Sequence, residues 1–264
     1  MLTAAKNQLK VMHLSLKYSL MRELLNKFTF ISNVVFMILN NACMIVQWIV
    51  LFSIKSEMGG YSFKQILLLW GLASGIYGFA HFFFDKAFDL SDTINSGKLD
   101  AFIVQPKNVL LSVITSNIHV SALGDMAFAI IMYFLYGFNM MNFLLFILFS
   151  ITGGLIMVSF SIILNSLSFW FNNTDIVADL GNHLLVNFAT YPDGIFKGIT
   201  KWLLFTLIPV GITSYIPVKT LINFNPQMLL LNIFICVIFM ITAYFMFNTG
   251  LKRYSSSNLA NARF

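Results

Sequence analysis

The stretch DKAFDLSDTINSGKLDAFIVQPK, Asp85–Lys107, decides how this chain folds, because it is polar and its surroundings are not. It holds seven of the chain's charged residues, which number 16 Lys and Arg and 10 Asp and Glu among 264. Apolar runs long enough to cross a bilayer flank it, so the interval must sit in water or against a soluble partner. Composition agrees: 58% of residues are hydrophobic and 10% charged, with mean hydropathy +0.82. A soluble domain carries about a quarter charged residues to face water. Lipid must therefore solvate much of the surface, and the expected class is an all-α polytopic membrane protein.

Charge sets the orientation. Residues 1–29 carry Lys6, Lys10, Lys17, Arg22 and Lys27 against Glu23, and the tail, 248–264, carries Lys252, Arg253 and Arg263. The positive-inside rule then places both termini in the cytoplasm, and the basic balance suits anionic lipid headgroups. No basic patch interleaved with aromatics lies outside the apolar runs, so no nucleic-acid partner is expected. Cys43 and Cys236 sit inside apolar runs without metal or redox spacing and read as small hydrophobes. The N-terminus lacks the apolar core and cleavage site of a secretory signal.

Leu2, Leu9, Met12, Leu16 and Leu20 recur at helical spacing beside lysines, so residues 2–27 read as an amphipathic interfacial helix. It serves either as a partner contact along the inner leaflet or as a topology anchor. Spans are expected at Phe30–Ile54, Ser62–Phe84, Val109–Gly137, Phe143–Trp170 and Met228–Phe247, with Asp175–Tyr191 a weaker fifth in the series. Asn33, Asn40, Asn41 and Gln47 turn the first toward other helices or a cavity. Gly71, Ala73, Ser74, Gly75 and Gly78 give the second a smooth face for close helix contact.

In the third, Asp125 lies midway and His119 nearer the cytoplasm. An ionisable group at that depth costs on the order of 2.5–3.5 kcal/mol, so it should face protein or water. It acts there as a structural hydrogen bond or as a proton or substrate contact. Four of the five prolines, Pro192, Pro209, Pro217 and Pro226, fall in 192–226, which cannot be one uninterrupted helix. Broken backbone at membrane depth needs protein or water around it, and a pair of short re-entrant helices fits. Were both Asp175–Tyr191 and Trp202–Ile216 to cross, the basic termini would face opposite sides. Six spans, with the second of those segments re-entrant, keep both inside.

Within the polar interval, Asp92 and Thr93 read as the capped start of a short helix ending at Gly97. A short rigid helix between two spans can transmit a rigid-body push. The phosphate-cradling pattern G-x-x-x-x-G-K-[ST] is missing, since Gly97-Lys98 is followed by Leu99. Neither metal-ligand spacing nor a nucleophile elbow occurs. The chain is therefore expected to be no enzyme and to bind no cofactor.

Four fragments carry a resemblance. INSGKLDAFIVQP (Ile94–Pro106) is similar to the G-x-L-D-x-x-L-x-x-P segment after the second span of bacterial ABC-transporter permeases of the type-2 export class. Leu123-Gly124-Asp125 resembles a Gly-Asp pair in their third span. Tyr191-Pro192, Ile208-Pro209-Val210 and Tyr215-Ile216-Pro217 resemble their region between spans five and six, and Gly250–Ser256 resembles their G-L-R-R-Y-x-S ending. Gln105 departs from the basic residue expected before the proline.

The resemblance implies a single transmembrane domain of six spans in a bacterial inner membrane, both termini cytoplasmic. It implies a coupling helix between spans two and three (85–108) and re-entrant helices between five and six (192–226). It implies separate ABC ATPase subunits, which hold ATP and Mg, and a second permease, the same or different. The ATPase-facing residues implied are Asp92, Thr93, Ile94, Gly97, Leu99, Asp100 and Pro106. The expected activity is export of a hydrophobic or amphipathic substrate (drug, peptide or lipid-like). Two other classes stay open: a proton-coupled secondary transporter using Asp125 and His119, and a scaffold or immunity protein with no transport cycle.

Overall fold

The computed structural model describes residues 2–171 and 174–255, about 80% of them helical with no strand among the described residues. Asn172 and Asn173, the turn expected after the fourth span, and the tail from Ser256 with Arg263 lie outside the described residues.

The N-terminal helix, α1 (Leu2–Glu23), ends three residues before α2 (Lys27–Ile54), whose start is capped by Asn26 accepting from the Thr29 N–H. A tight turn follows, with Gly59 and Gly60 at φ +58° and +80°. Ser62 and Gln65 then form a reciprocal capping box that starts α3 (Phe63–Phe84). The polar interval becomes two short helices, α4 (Leu90–Asn95) and α5 (Asp100–Ile103), separated by Gly97 at φ +75°. The rest comprises α6 (Val109–Ile114), α7 (Ala122–Tyr136), α8 (Met140–Ser166), α9 (Asp175–Ala189), α10 (Gly198–Thr206), α11 (Ile216–Ile222) and α12 (Pro226–Leu251).

By length and apolarity, α2, α3, α8 and α12 suffice to cross a bilayer, and the bent pair Gly198–Thr206 plus Gly211–Ile222 would make a fifth. The third expected span is not one helix. Val109–Gly137 breaks at residues 115–121, because Thr115 and Ser116 turn their hydroxyls back onto the carbonyls of Leu111 and Val113, both at 2.7 Å. The His119 N–H leaves the helix ladder altogether for the His81 carbonyl of α3. What remains of that span is α7, 15 residues and about 22 Å long.

The core is built on α7. One side takes α2 through Gly124, where an added Cβ would lie 2.5 Å from the Val34 carbonyl oxygen. The other takes α3 through Gly71, Gly75 and Gly78, the smooth face read from the sequence; Gly75 also admits Ser150 of α8. Gly153 and Gly154 of α8 pack against Ile76 and Phe79 of α3. The four prolines bend the chain as expected. Irregular backbone is tolerated there because Gly211–Tyr215, a π-turn, is wholly buried. The Asn232 side chain of α12 donates to the Ile212 carbonyl at 2.8 Å and accepts from Thr152 of α8 at 2.8 Å.

Contacts sort the helix ends into two groups. At one end α1 lies along α6, with the Asn108 N–H donating to Gln8 at 3.1 Å, Ser15 donating to the Thr115 carbonyl at 2.8 Å, and Arg22 donating to Asn117 at 2.7 Å. The C-terminal half of α12 packs near the same place, Tyr244 accepting from the Asn108 amide. This is the Asp85 end. At the other, the Tyr61 end, the turn at Gly59 meets Gly194, and Asn142 of α8 donates to the Leu221 carbonyl of α11.

Candidate functional site

Helices α2, α3 and α9 line a partly open cavity of about 470 Å³, with Asp125 of α7, Met157 of α8 and Ser214 of the π-turn completing the wall. Its volume lies in the range of drug-sized binding sites. The amides Asn40, Asn41 and Gln47 of α2 face Asn182 and Asn187 of α9 across it, and Trp48, Trp70, Tyr77 and Tyr191 supply aromatic faces. Four buried polar atoms of this wall have no partner within the described residues: Trp70 Nε1, Asp125 Oδ2, Asn182 Oδ1 and Ser214 Oγ. Buried polar groups are normally satisfied, so the cavity is a place where the protein leaves hydrogen bonds to be made. Asp125 is 3% exposed, and its other oxygen accepts from the Asn41 amide at 2.7 Å.

His81 lines the cavity's Asp85 end, its ring between Tyr77 and Phe88 at centroid distances of 4.0 and 3.9 Å. Its Nδ1 lies 3.4 Å from Asp85, which accepts from Asn117, which in turn accepts from Arg22 of α1. The histidine singled out from the sequence was His119. His119 is exposed in the 115–121 break, held by Ser121 at 2.8 Å, and is not part of the cavity wall that holds Asp125.

The polar interval is tied to the same cavity by a buried amide knot. Asp89, the residue before α4, makes no side-chain cap, and Asp92 lies inside the helix, exposed and paired with Lys98 at 2.9 Å. The cap comes from α8: the fully buried Asn165 accepts from the Ser91 N–H at 3.0 Å. The Asn165 amide donates to the Ser161 hydroxyl, which donates to the Ala87 carbonyl and accepts from Asn182 of the cavity wall at 3.1 Å.

Of the residues read as facing a partner, Thr93, Ile94 and Leu99 are buried and hold the interval to the core. Asp92 and Pro106 are exposed, and Gly97 and Asp100 half-buried. The exposed apolar pair Ile103 and Val104, 40% and 82% exposed, was missed. In the proline-rich region the Tyr191 ring packs at a tilt against Trp48, centroids 5.8 Å apart, and lines the cavity, while Pro192, Pro209 and Pro217 are buried.

At the Tyr61 end, Asp193 accepts from Lys219 at 2.7 Å and from the Tyr61 hydroxyl at 2.9 Å, with Lys201 at 3.4 Å. Burial pushes the Asp193 carboxyl up, but the bonds from Lys219 and Tyr61 and the two lysine charges outweigh it and hold it below the usual carboxylate range. A depressed carboxyl stabilises the fold above its unfolded value, and that contribution fades as pH falls through its folded one. Asp193→Asn weakens charge-assisted bonds to half-exposed lysines and is therefore expected to cost about 2 kcal/mol at neutral pH. The gap to wild type should close below about pH 4, read by unfolding in detergent across that range. Lys201→Ala, at a longer and more exposed pair, should cost under about 0.5 kcal/mol.

Apolar helices around a polar cavity define a multi-pass membrane protein with the anatomy of a transporter. The sequence model of the family described as "ABC-2 family transporter protein" matches residues 38–258, and the chain belongs to that family. Comparison with curated proteins and with solved structures returns no match.

Proposed function

We propose that the chain is the permease subunit of an ATP-driven exporter, moving a hydrophobic or amphipathic substrate through the α2–α3–α9 cavity. The observation that carries this reading is the amide knot. It joins α4 to the cavity-lining Asn182 through Ser91, Asn165 and Ser161, so a push on the polar interval reaches the cavity without a flexible link. Family membership supports a separate ABC ATPase as the source of that push, with ATP and Mg bound on that subunit. In this reading α4 and α5 are the coupling element and α10–α11 the re-entrant pair. The six crossings are α2, α3, α7, α8, α9 and α12, with the Asp85 end and both termini in the cytoplasm of a bacterial cell. A second permease, the same or different, covers the amides Asn40 and Gln47, which are exposed at membrane depth on α2.

The contact for the ATPase is the exposed rim Asp92, Lys98, Ile103, Val104 and Pro106. Val104→Asp should reduce recovery of an ABC ATPase in affinity purification of the chain from its native membrane by about tenfold, the loss of one apolar anchor. Its level in the membrane should be unchanged. Recovery of no ATPase with the wild-type chain would overturn the reading.

A further inference from the structure

We infer that the cavity is built to hold a hydrophobic organic cation, an inference that rests on reading this cavity as the cargo path. Its wall carries three carboxylates, Asp89, Asp125 and Asp179, and neither lysine nor arginine. Asp89 is matched by Lys86 at 3.0 Å at the mouth. Among the described residues no such partner stands by Asp125 or Asp179. Asp125, on the cavity wall, is nine-tenths buried and more, and one of its oxygens has no hydrogen-bond partner among the described residues. A bare carboxylate away from water is unfavourable, and a cation brought beside it relieves that cost. An anion brought there meets repulsion with nothing to offset it.

The remaining wall fits the same ligand. Trp48, Trp70, Tyr77 and Tyr191 present ring faces, which attract cations more strongly once water is excluded. The unpartnered Asn182 oxygen adds a second acceptor on the facing helix. The unpartnered Trp70 N–H and Ser214 hydroxyl suit an uncharged polar atom elsewhere on the same molecule. Phosphate-bearing lipids and other anionic amphiphiles would meet neither lysine nor arginine here, only the histidines His81, which sits beside Asp85, and His183. The substrate class is thereby narrowed to a flat or bulky apolar body bearing positive charge.

Two ions of nearly equal shape and opposite charge test this, tetraphenylphosphonium and tetraphenylborate. Equilibrium dialysis against the full chain in lipid nanodiscs, corrected with empty nanodiscs, should show saturable capture of the phosphonium only. Asp125→Asn keeps the oxygen that accepts from Asn41 and removes the charge. It should weaken phosphonium capture at least tenfold, while Asp193→Asn at the Tyr61 end leaves it unchanged. Saturable borate capture, equal capture of both ions, absence of phosphonium capture or an unaffected Asp125→Asn chain would each overturn the inference. The charge comparison is made on the wild-type chain, so it stands even if a variant misfolds. Binding requires neither ATP nor a second subunit. Cation capture without any associated ATPase therefore refutes only the proposed function, and an ATPase-bound chain blind to the cation refutes only this inference.

Discussion

Replacing Asn165 with leucine is expected to detach the polar interval from the membrane body. The first N–H groups of a helix have no partner within it, and α4 buries that end against α8. Asn165 meets the Ser91 N–H from 74 residues away in sequence. Its amide at the same time satisfies the Ser161 hydroxyl. Leucine fills the space but offers neither group, so the Ser91 donor is orphaned in a buried site, which costs about 1–3 kcal/mol. The stabilisation lost is local, so the chain should still insert. Leu90, the fully buried first residue of α4, reports the change. A cysteine placed there, with Cys43 replaced by serine, should resist a membrane-impermeant maleimide in the wild-type background. It should label at least tenfold faster beside Asn165→Leu. Under the proposed function the same variant separates ATP hydrolysis from transport while still binding its ATPase. Unchanged labelling would show that α4 is held by its apolar contacts alone.

That cap also marks the boundary of what the sequence discloses. Gly97 as terminator was legible, because a left-handed residue after a short polar helix is a local requirement. The start was not. Asp92 and Thr93 carry the right chemistry for a cap, yet the actual cap belongs to another helix, and no local pattern announces a partner so distant. The third span misled for a related reason. Its hydropathy is continuous enough to read as one helix, whereas Thr115 and Asn117 have tertiary partners that reward breaking it. Asn41 and Asp125 were each legible as polar groups needing partners at depth, and they bond to one another, leaving one Asp125 oxygen without a partner among the described residues. Membership of the cavity was legible for Asn40, Asn41 and Gln47 of the first span, but not for Asn182 and His81, which reach it only through the way α9 and α3 pack. Proline clustering, by contrast, announced the break at 192–226, since each proline removes a donor wherever the chain goes.

Gly78→Ala should be among the most damaging single-methyl additions to this chain, and Gly181→Ala among the mildest at a close contact. Both glycines lie within helices, where alanine is intrinsically favoured by about 1 kcal/mol, so the sign of each effect is set by what the new methyl meets. At Gly78 it would come within 2.9 Å of both the Ala122 carbonyl oxygen and the Met126 nitrogen of α7. Those are backbone atoms at the seam on which the core is built, and they can retreat only if α7 moves. At Gly181 the methyl meets the free end of the Leu164 side chain, which can rotate aside. Overpacking that cannot relax costs about 1–3 kcal/mol, occasionally more. Gly78→Ala is thus expected to lose about 1–2 kcal/mol net, and Gly181→Ala less than about 1. Because α7 is wedged between α3 and α2, displacing it at Gly78 also strains the Asn41–Asp125 bond on its other side. A double change, Gly78→Ala with Asn41→Ala, should then cost less than the two single costs combined, a coupling that independent sites do not show. Reversible unfolding of the full chain in mixed micelles measures all four chains, and additivity between the two sites would remove α7 as the common wedge.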